Sequence, residues 1–193
     1  FSLDAAAFYN LYDQVRTSGP FTLSPGILPE SGLAQWNKLI NGLRGHGHGL
    51  EVVANWQVTP AWRLRGIGSW LQLDMDPPEK DINDIPRLMI ERGSPRQQYQ
   101  FHSLYNLDAN LDMTVSLFYT DSVQTLSSLA GTLEKIPAYT RLDLSLGWRP
   151  AKQTEWRLSL QNLFDDRHPE FLSWDVAASQ VPRSFLVQFR HRL

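Results

Sequence analysis

The feature of this sequence that most limits its fold is a two-residue alternation of apolar and polar side chains, repeated in segments of about ten residues. The clearest example is the segment 139–149, in which every second residue is apolar: Leu142, Leu144, Leu146 and Trp148. Successive side chains of a β-strand point to opposite faces. This period therefore predicts a strand with one apolar face and one polar face.

The same alternation predicts eight strands and leaves no segment that suits a helix. The expected strands cover residues 3–15, 38–58, 62–75, 96–107, 111–120, 139–149, 155–164 and 182–193. No apolar run approaches the ~18 to 20 residues of a membrane-spanning helix, so this chain could cross a membrane only with strands. We therefore expect an all-β fold, an antiparallel meander.

The connections between the expected strands alternate between short and long. Short ones cover 59–61, 108–110 and 150–154, and long ones cover 16–37, 76–95, 123–136 and 165–181. Transmembrane β-barrels join their strands by short periplasmic turns and longer extracellular loops. The alternation thus favours a transmembrane barrel over a soluble sandwich or lipocalin-like barrel, whose strands also alternate but hide their apolar face inside.

Aromatic residues collect beside the short connections. The tryptophans and tyrosine at these places are Trp56, Trp62, Tyr105, Trp148 and Trp156. Such residues are enriched where a barrel crosses the membrane interface, so we expect an aromatic girdle at this end. Trp70 lies on the same face as Trp62 and eight residues further on, where it would mark the opposite girdle.

Neither the composition nor the motifs of the chain indicate a catalytic activity. The net charge of -2 gives no reason to expect nucleic acid, and the absence of cysteine excludes disulfides and cysteine-ligated metals. No phosphate-binding loop or nucleophile motif is present, so we expect no catalytic residue and no cofactor. The acidic and histidine-containing segment 165–170, DDRHPE, is interpreted as a solvated turn.

His46 and His48 are a pair that could chelate a metal, because residues i and i+2 of a strand share a face. The same face continues into Leu50 and Val52, which we interpret as lipid-facing. We therefore interpret the pair as interfacial histidines and predict no metal.

Two parts of the chain resemble the β-barrel of TonB-dependent outer-membrane receptors. Residues 136–171, IPAYTRLDLSLGWRPAKQTEWRLSLQNLFDDRHPEF, followed by VPRSFLVQFRHRL at 181–193, resemble the close of that barrel: a strand, a short turn, a strand ending in an N-L-F-D motif, a loop and a final strand. The segment 41–73, NGLRGHGHGLEVVANWQVTPAWRLRGIGSWLQL, is similar to a pair of earlier strands. The chain departs from the family in ending on Leu193 rather than on an aromatic residue.

The resemblance implies a 22-stranded barrel around a plug domain. Residues 1–193 would then be the C-terminal portion, the last eight strands, with the plug absent. The implied function is uptake, in the bacterial outer membrane, of a scarce nutrient such as a ferric siderophore, cobalamin or haem, with no enzymatic step. The implied partners are outer-membrane lipid, the plug, the TonB complex and a small-molecule ligand.

Two other functions remain open from the sequence. A small closed eight-stranded barrel could serve a structural or adhesive role in the outer membrane. An outer-membrane barrel enzyme would need a Ser or Asp and His set near the outer rim, and none is recognisable.

Five charged residues are expected on the polar, lumen-facing wall, near the short connections. In the resembled family these side chains would contact the plug or, as the second interpretation, an anionic ligand. They are Arg63, Arg65, Arg141, Asp143 and Arg157.

Overall fold

The computed structural model describes residues 1–25, 33–76, 85–126, 133–173 and 176–192. Its elements are β1 (Ser2–Pro25), β2 (Leu33–Thr59), β3 (Trp62–Asp76), α1 (Ile85–Arg92), β4 (Gln97–Asn106), β5 (Leu111–Thr120), β6 (Val123–Leu126), β7 (Leu133–Ile136), β8 (Tyr139–Ala151), β9 (Thr154–Gln161), β10 (Arg167–Ser173), β11 (Val176–Pro182) and β12 (Ser184–His191).

One antiparallel sheet contains eight of these strands, in the order β1-β2-β3-β4-β5-β8-β9-β12. Each strand pairs with its neighbours along the chain, except that β5 pairs with β8 and β9 with β12 across inserted hairpins. The predicted eight strands and their antiparallel meander are confirmed. Leu193 lies outside the described residues.

The long connections contain more regular structure than the sequence indicated. β6 pairs with β7 and β10 pairs with β11, and β1 and β2 continue as a hairpin through much of the expected loop 16–37. The expectation that no segment suits a helix is wrong for α1. This helix is stabilised locally by an Arg87–Glu91 ion pair of 3.1 Å, and the Glu91 carboxylate also accepts a hydrogen bond from the Met75 backbone N–H at 2.9 Å.

The alternation of short and long connections is confirmed. The β2–β3, β4–β5 and β8–β9 connections are short and lie at one end of the sheet, which we call the short-turn end. The helix and both small hairpins are inserted at the other end, the long-connection end. None of the helices in the described part of the chain has the length and apolar character that crossing a membrane requires.

The sheet has one apolar face that is not covered by other parts of the chain. Cross-strand partners such as Phe101 and Leu117, or Trp148 and Trp156, share this face, and Trp148 is 51% exposed. The buried hydrophobic core of the described residues is small: Leu43, Met75 and Ile136. A soluble sandwich would hide this face inside, whereas a membrane barrel presents it to lipid.

The aromatic residues beside the short turns lie on this apolar face. The Trp62 and Tyr105 rings meet edge to face with their centroids 6.2 Å apart. The ring centroids of Trp156 and Phe189 are 4.6 Å apart. Trp62 also donates its indole N–H to the Ser103 hydroxyl at 3.0 Å. Aromatic side chains therefore form a band along the short-turn end, as predicted.

The sheet is open in the described residues. β1 pairs only with β2 and β12 pairs only with β9, so the first and last strands do not join. The eight strands thus do not close on themselves, and the small closed barrel has no support from this arrangement.

Candidate functional site

The polar face of the sheet carries a network of two arginines and two acids near the short-turn end, which we call the wall network: Asp112, Arg149, Glu155 and Arg157. Arg157 lies 3.3 Å from Asp112 and 2.9 Å from Glu155. Arg149 donates to the other Asp112 oxygen. The predicted site residue Arg157 therefore has its charge satisfied within the wall by partners on β5 and β9.

Gly147 provides the space for this network. It lies on β8 directly between Asp112 on β5 and Arg157 on β9. A Cβ at this position would lie 2.7 Å from an Arg157 guanidinium nitrogen and 2.7 Å from an Asp112 carboxylate oxygen. The small residue that the alternation placed on the polar face thus allows an ion pair to bridge across an intervening strand.

A second polar cluster, the rim cluster, lies nearer the long-connection end and consists of Arg141, Asp143, His168 and Glu170. Arg141 lies 3.3 Å from Asp143 and 3.5 Å from Glu170, and its guanidinium carbon lies 4.4 Å above the centre of the Phe118 ring. The predicted residues Arg141 and Asp143 are therefore brought together, but away from Arg157.

The interpretation of residues 165–170 as a solvated turn is wrong for His168. This side chain is 5% exposed and stacks on Tyr139 with ring centroids 4.2 Å apart. Its Nε2 lies 3.2 Å from Glu170. The turn is held in place by the wall beneath it, a contact that local sequence could not indicate because Tyr139 is 29 residues away.

Asn162, the first residue of the N-L-F-D motif, is fully buried and has a left-handed backbone with φ of 55°. Its backbone N–H donates to Asp143 at 3.0 Å and its side-chain amide donates to the Val181 carbonyl at 3.1 Å. Asparagine tolerates this conformation better than most residues. The motif therefore ends β9 and connects it to the rim cluster.

Arg63 and Arg65 differ from the other predicted site residues because both are exposed. Their cross-strand partners are neutral side chains: Gln57 and Leu104 for Arg63, Asn55 and His102 for Arg65. Neither arginine has an ion pair within the described residues. These two positive charges on the polar face are thus not compensated within the described wall.

A cavity of about 240 Å³ opens at the long-connection end, where α1, the β6–β7 hairpin and the rim cluster meet. Its lining mixes apolar and polar groups: Met89, Thr120, Gln124, Ile136, Tyr139 and Glu170. This volume is below the roughly 300–1,000 Å³ of a complete small-molecule pocket, so this cavity by itself could hold only part of such a ligand.

Residues 1–163 match the family model described as TonB dependent receptor-like, beta-barrel. The chain belongs to this family. Its members are outer-membrane receptors and transporters rather than enzymes. No curated protein sequence matches the chain.

Solved structures of siderophore receptors have the same fold. The siderophore receptor PiuA from Acinetobacter baumannii aligns with a TM-score of 0.72 and 19% identity over 98% of this chain and 26% of that one. The ferric-catecholate import receptor Fiu from E. coli K12, in its closed form, gives 0.70 and 18% over 98% and 25%. The pyoverdine receptor FpvA from Pseudomonas aeruginosa PAO1, bound to pyoverdine, gives 0.65 and 14% over 99% and 27%. This TonB-dependent receptor barrel segment therefore spans about a quarter of those chains.

Membership of the family assigns the two faces of the sheet. In a transmembrane β-barrel one face of the sheet contacts lipid and the other face lines the lumen. The uncovered apolar face and the charged polar face of this sheet have the character that these two environments require.

Proposed function

We propose that this chain is part of the wall of a bacterial outer-membrane receptor that takes up a ferric siderophore. The observation that carries the proposal is the pairing of an uncovered apolar face with a charged opposite face on an open eight-stranded meander. A ferric siderophore is preferred to cobalamin or haem because the structurally similar receptors are named for ferric-catecholate import, for siderophores and for pyoverdine.

In this proposal, residues 1–193 are the last eight strands of a 22-stranded barrel, and the other strands and the plug belong to the rest of the receptor. The two open edges, β1 and β12, would pair with the remaining barrel strands, since unpaired edges are very costly in lipid. The TonB complex would act on the plug, without an enzymatic step in the wall.

Arg63 and Arg65 are the residues of the wall that would contact the plug. Their exposed guanidinium groups can form two-pronged hydrogen bonds with a carboxylate. Arg141, Asp143 and Arg157 would instead hold the wall together, because each already has partners within it. An anionic ligand is the second partner that the two exposed arginines could take.

The test is uptake of ⁵⁵Fe-labelled siderophores, with labelled cobalamin and haem in parallel, by cells in which the intact receptor containing this chain is the only one expressed. We expect uptake of a ferric siderophore that is lost when TonB is deleted. The double variant Arg63→Gln/Arg65→Gln should lower uptake at an unchanged surface level. Lys152→Gln, in a short turn, is the control and should not.

Uptake of none of the three ligands would overturn the transport proposal. Uptake of cobalamin or haem alone would overturn the assignment to siderophores. Binding of labelled siderophore to cells without TonB separates the two interpretations of the arginines, since a plug contact would leave this binding unchanged and a ligand contact would weaken it.

A further inference from the structure

Three potential metal ligands meet on the apolar face of the sheet, beyond Trp70 toward the long-connection end: His46, His48 and Asp74. Their ligand atoms all lie within 4.8 Å of one another, and His46 Nε2 lies 3.5 Å from Asp74 Oδ2. The two histidines share a face of β2, and the register of β3 places Asp74 directly opposite His46. The carboxylate is 28 residues from His46 in sequence, so only the strand pairing brings it to the pair.

We propose that His46, His48 and Asp74 bind a divalent first-row transition cation at the rim of the barrel wall. Two imidazoles and one carboxylate are a ligand set that suits Zn²⁺, Cu²⁺ or Ni²⁺. Tetrahedral ligands at ~2.0–2.2 Å from a cation lie roughly 3.3 Å from each other. The 3.5 Å between His46 Nε2 and Asp74 Oδ2 is already close to this value. The His48 ligand atom lies within 4.8 Å of both, so small side-chain rotations would bring it to the same spacing.

Neighbouring side chains orient the three ligands. Gln72 donates to Asp74 Oδ1 at 3.0 Å, which leaves Oδ2 directed to His46. Tyr9 stacks on both imidazoles, with ring centroids 5.6 Å and 6.2 Å away, and Trp70 meets His48 edge to face at 5.2 Å. Supporting contacts of this kind hold metal ligands in a binding geometry.

His48 carries an unsatisfied polar atom in this cluster. Its Nδ1 is buried and has no hydrogen-bond partner in the described structure. A buried nitrogen without a partner costs free energy, and a neutral imidazole can recover it by ligating a cation. This observation favours a ligand over the simpler interpretation of the pair as interfacial histidines.

The backbone that carries the histidines is held in place from the opposite face. A Cβ at Gly47 would lie 2.6 Å from the Leu73 side chain, and one at Gly49 would lie 2.5 Å from the Phe8 ring. Neighbouring side chains therefore pack directly on the β2 backbone where only glycine fits. The spacing of the two imidazoles is thus set before a cation arrives.

The local charge is compatible with a cation. Asp74 supplies a negative charge, and Arg44, the arginine two residues before His46, is neutralised by an ion pair with Asp13 at 2.9 Å. The His46 and Asp74 side chains are 39% and 47% exposed, so water can complete the coordination.

The test is calorimetric titration of the intact receptor containing this chain, folded in detergent, with Zn²⁺. We expect one strong site per chain. His46→Gln, His48→Gln and Asp74→Asn should each weaken binding by more than the roughly 10–100-fold that loss of a supporting group costs, whereas Gln72→Leu should weaken it by about tenfold. His102→Gln is the matched control, because His102 lies on the opposite face, bonded to Ser116 at 2.9 Å, and this variant should bind like the unaltered chain.

Unchanged Zn²⁺ affinity in His48→Gln or Asp74→Asn would overturn the proposal, as would the absence of any site in the unaltered chain. Electron paramagnetic resonance of Cu²⁺ bound to the unaltered chain tests the ligands without a substitution that could impair folding. We expect hyperfine splitting from two imidazole nitrogens, and a spectrum with fewer nitrogens would contradict the site.

Discussion

Two pairs of arginines on the same face and at the same end of the sheet have opposite surroundings. Arg149 and Arg157 belong to the wall network, where Asp112 and Glu155 compensate their charge. Arg63 and Arg65, on β3, face only neutral cross-strand partners. The difference teaches that position on the polar face does not by itself give an arginine its role. Acids on the same and neighbouring strands compensate one pair of arginines, and the other pair has no such acid within the described wall.

The largest expected effect is the loss of the acid that the wall network shares. Asp112→Asn removes the charge that Arg149 and Arg157 both contact, and hydrogen bonds to charged groups are worth about 1.5–3 kcal/mol. We expect the free energy of unfolding, measured by urea titration in lipid vesicles, to fall by about 2 kcal/mol. Glu134→Gln, at an exposed position on β7, is the control. Equal stability of the two variants would remove the contrast between the arginine pairs.

A smaller effect is expected from filling the space at Gly147. In Gly147→Ala the new methyl group would displace the Asp112 and Arg157 tips, and overpacking of this kind costs about 1–3 kcal/mol. We expect the low end of that range in the same unfolding assay, because flexible side-chain tips can move. Gly66→Ala is the matched control, since a Cβ there meets nothing within 4 Å. A stability loss in Gly66→Ala as large as in Gly147→Ala would show that strand glycines, not the network, control stability here.

The smallest effect is expected for the other arginine pair. Arg63→Gln and Arg65→Gln remove exposed charges without ion-pair partners in the described wall, so the free energy of unfolding of the receptor barrel should change by less than about 0.5 kcal/mol. The same unfolding titration measures it. A loss comparable to that of Asp112→Asn would mean that these arginines stabilise the wall itself and would remove the reason to expect a plug contact.

Most of the fold could be predicted because it depends on local pattern. The alternation in residues 139–149 identified β8 and its two faces, and the short connections identified the turns at one end of the sheet. The sequence does not predict α1, because its eight residues lie in a connection and are stabilised by a contact with Met75 on β3. An amphipathic segment of this length is too short for a reliable helical signal.

The candidate sites could be predicted only in part. The alternation places Arg141 and Asp143 together on the polar face, but the local sequence predicts a solvated turn for His168 and Glu170, which complete the rim cluster. The local pattern predicts the pair His46 and His48, but it does not predict that Asp74, the proposed third ligand, lies beside them. In both clusters the residues that the local pattern does not predict lie on another strand: His168 and Glu170 on β10, and Asp74 on β3.

The sequence by itself determined the strands, the two faces, the aromatic band and the difference between the two ends, because each depends on side-chain type at a spacing of two residues or on the length of a connection. Only the tertiary structure decided which charges meet. Pairing between strands depends on register, and a shift of one residue would move every side chain to the other face. The register that places Asp112 and Arg157 on either side of Gly147, and Asp74 opposite His46, is a property of the assembled sheet.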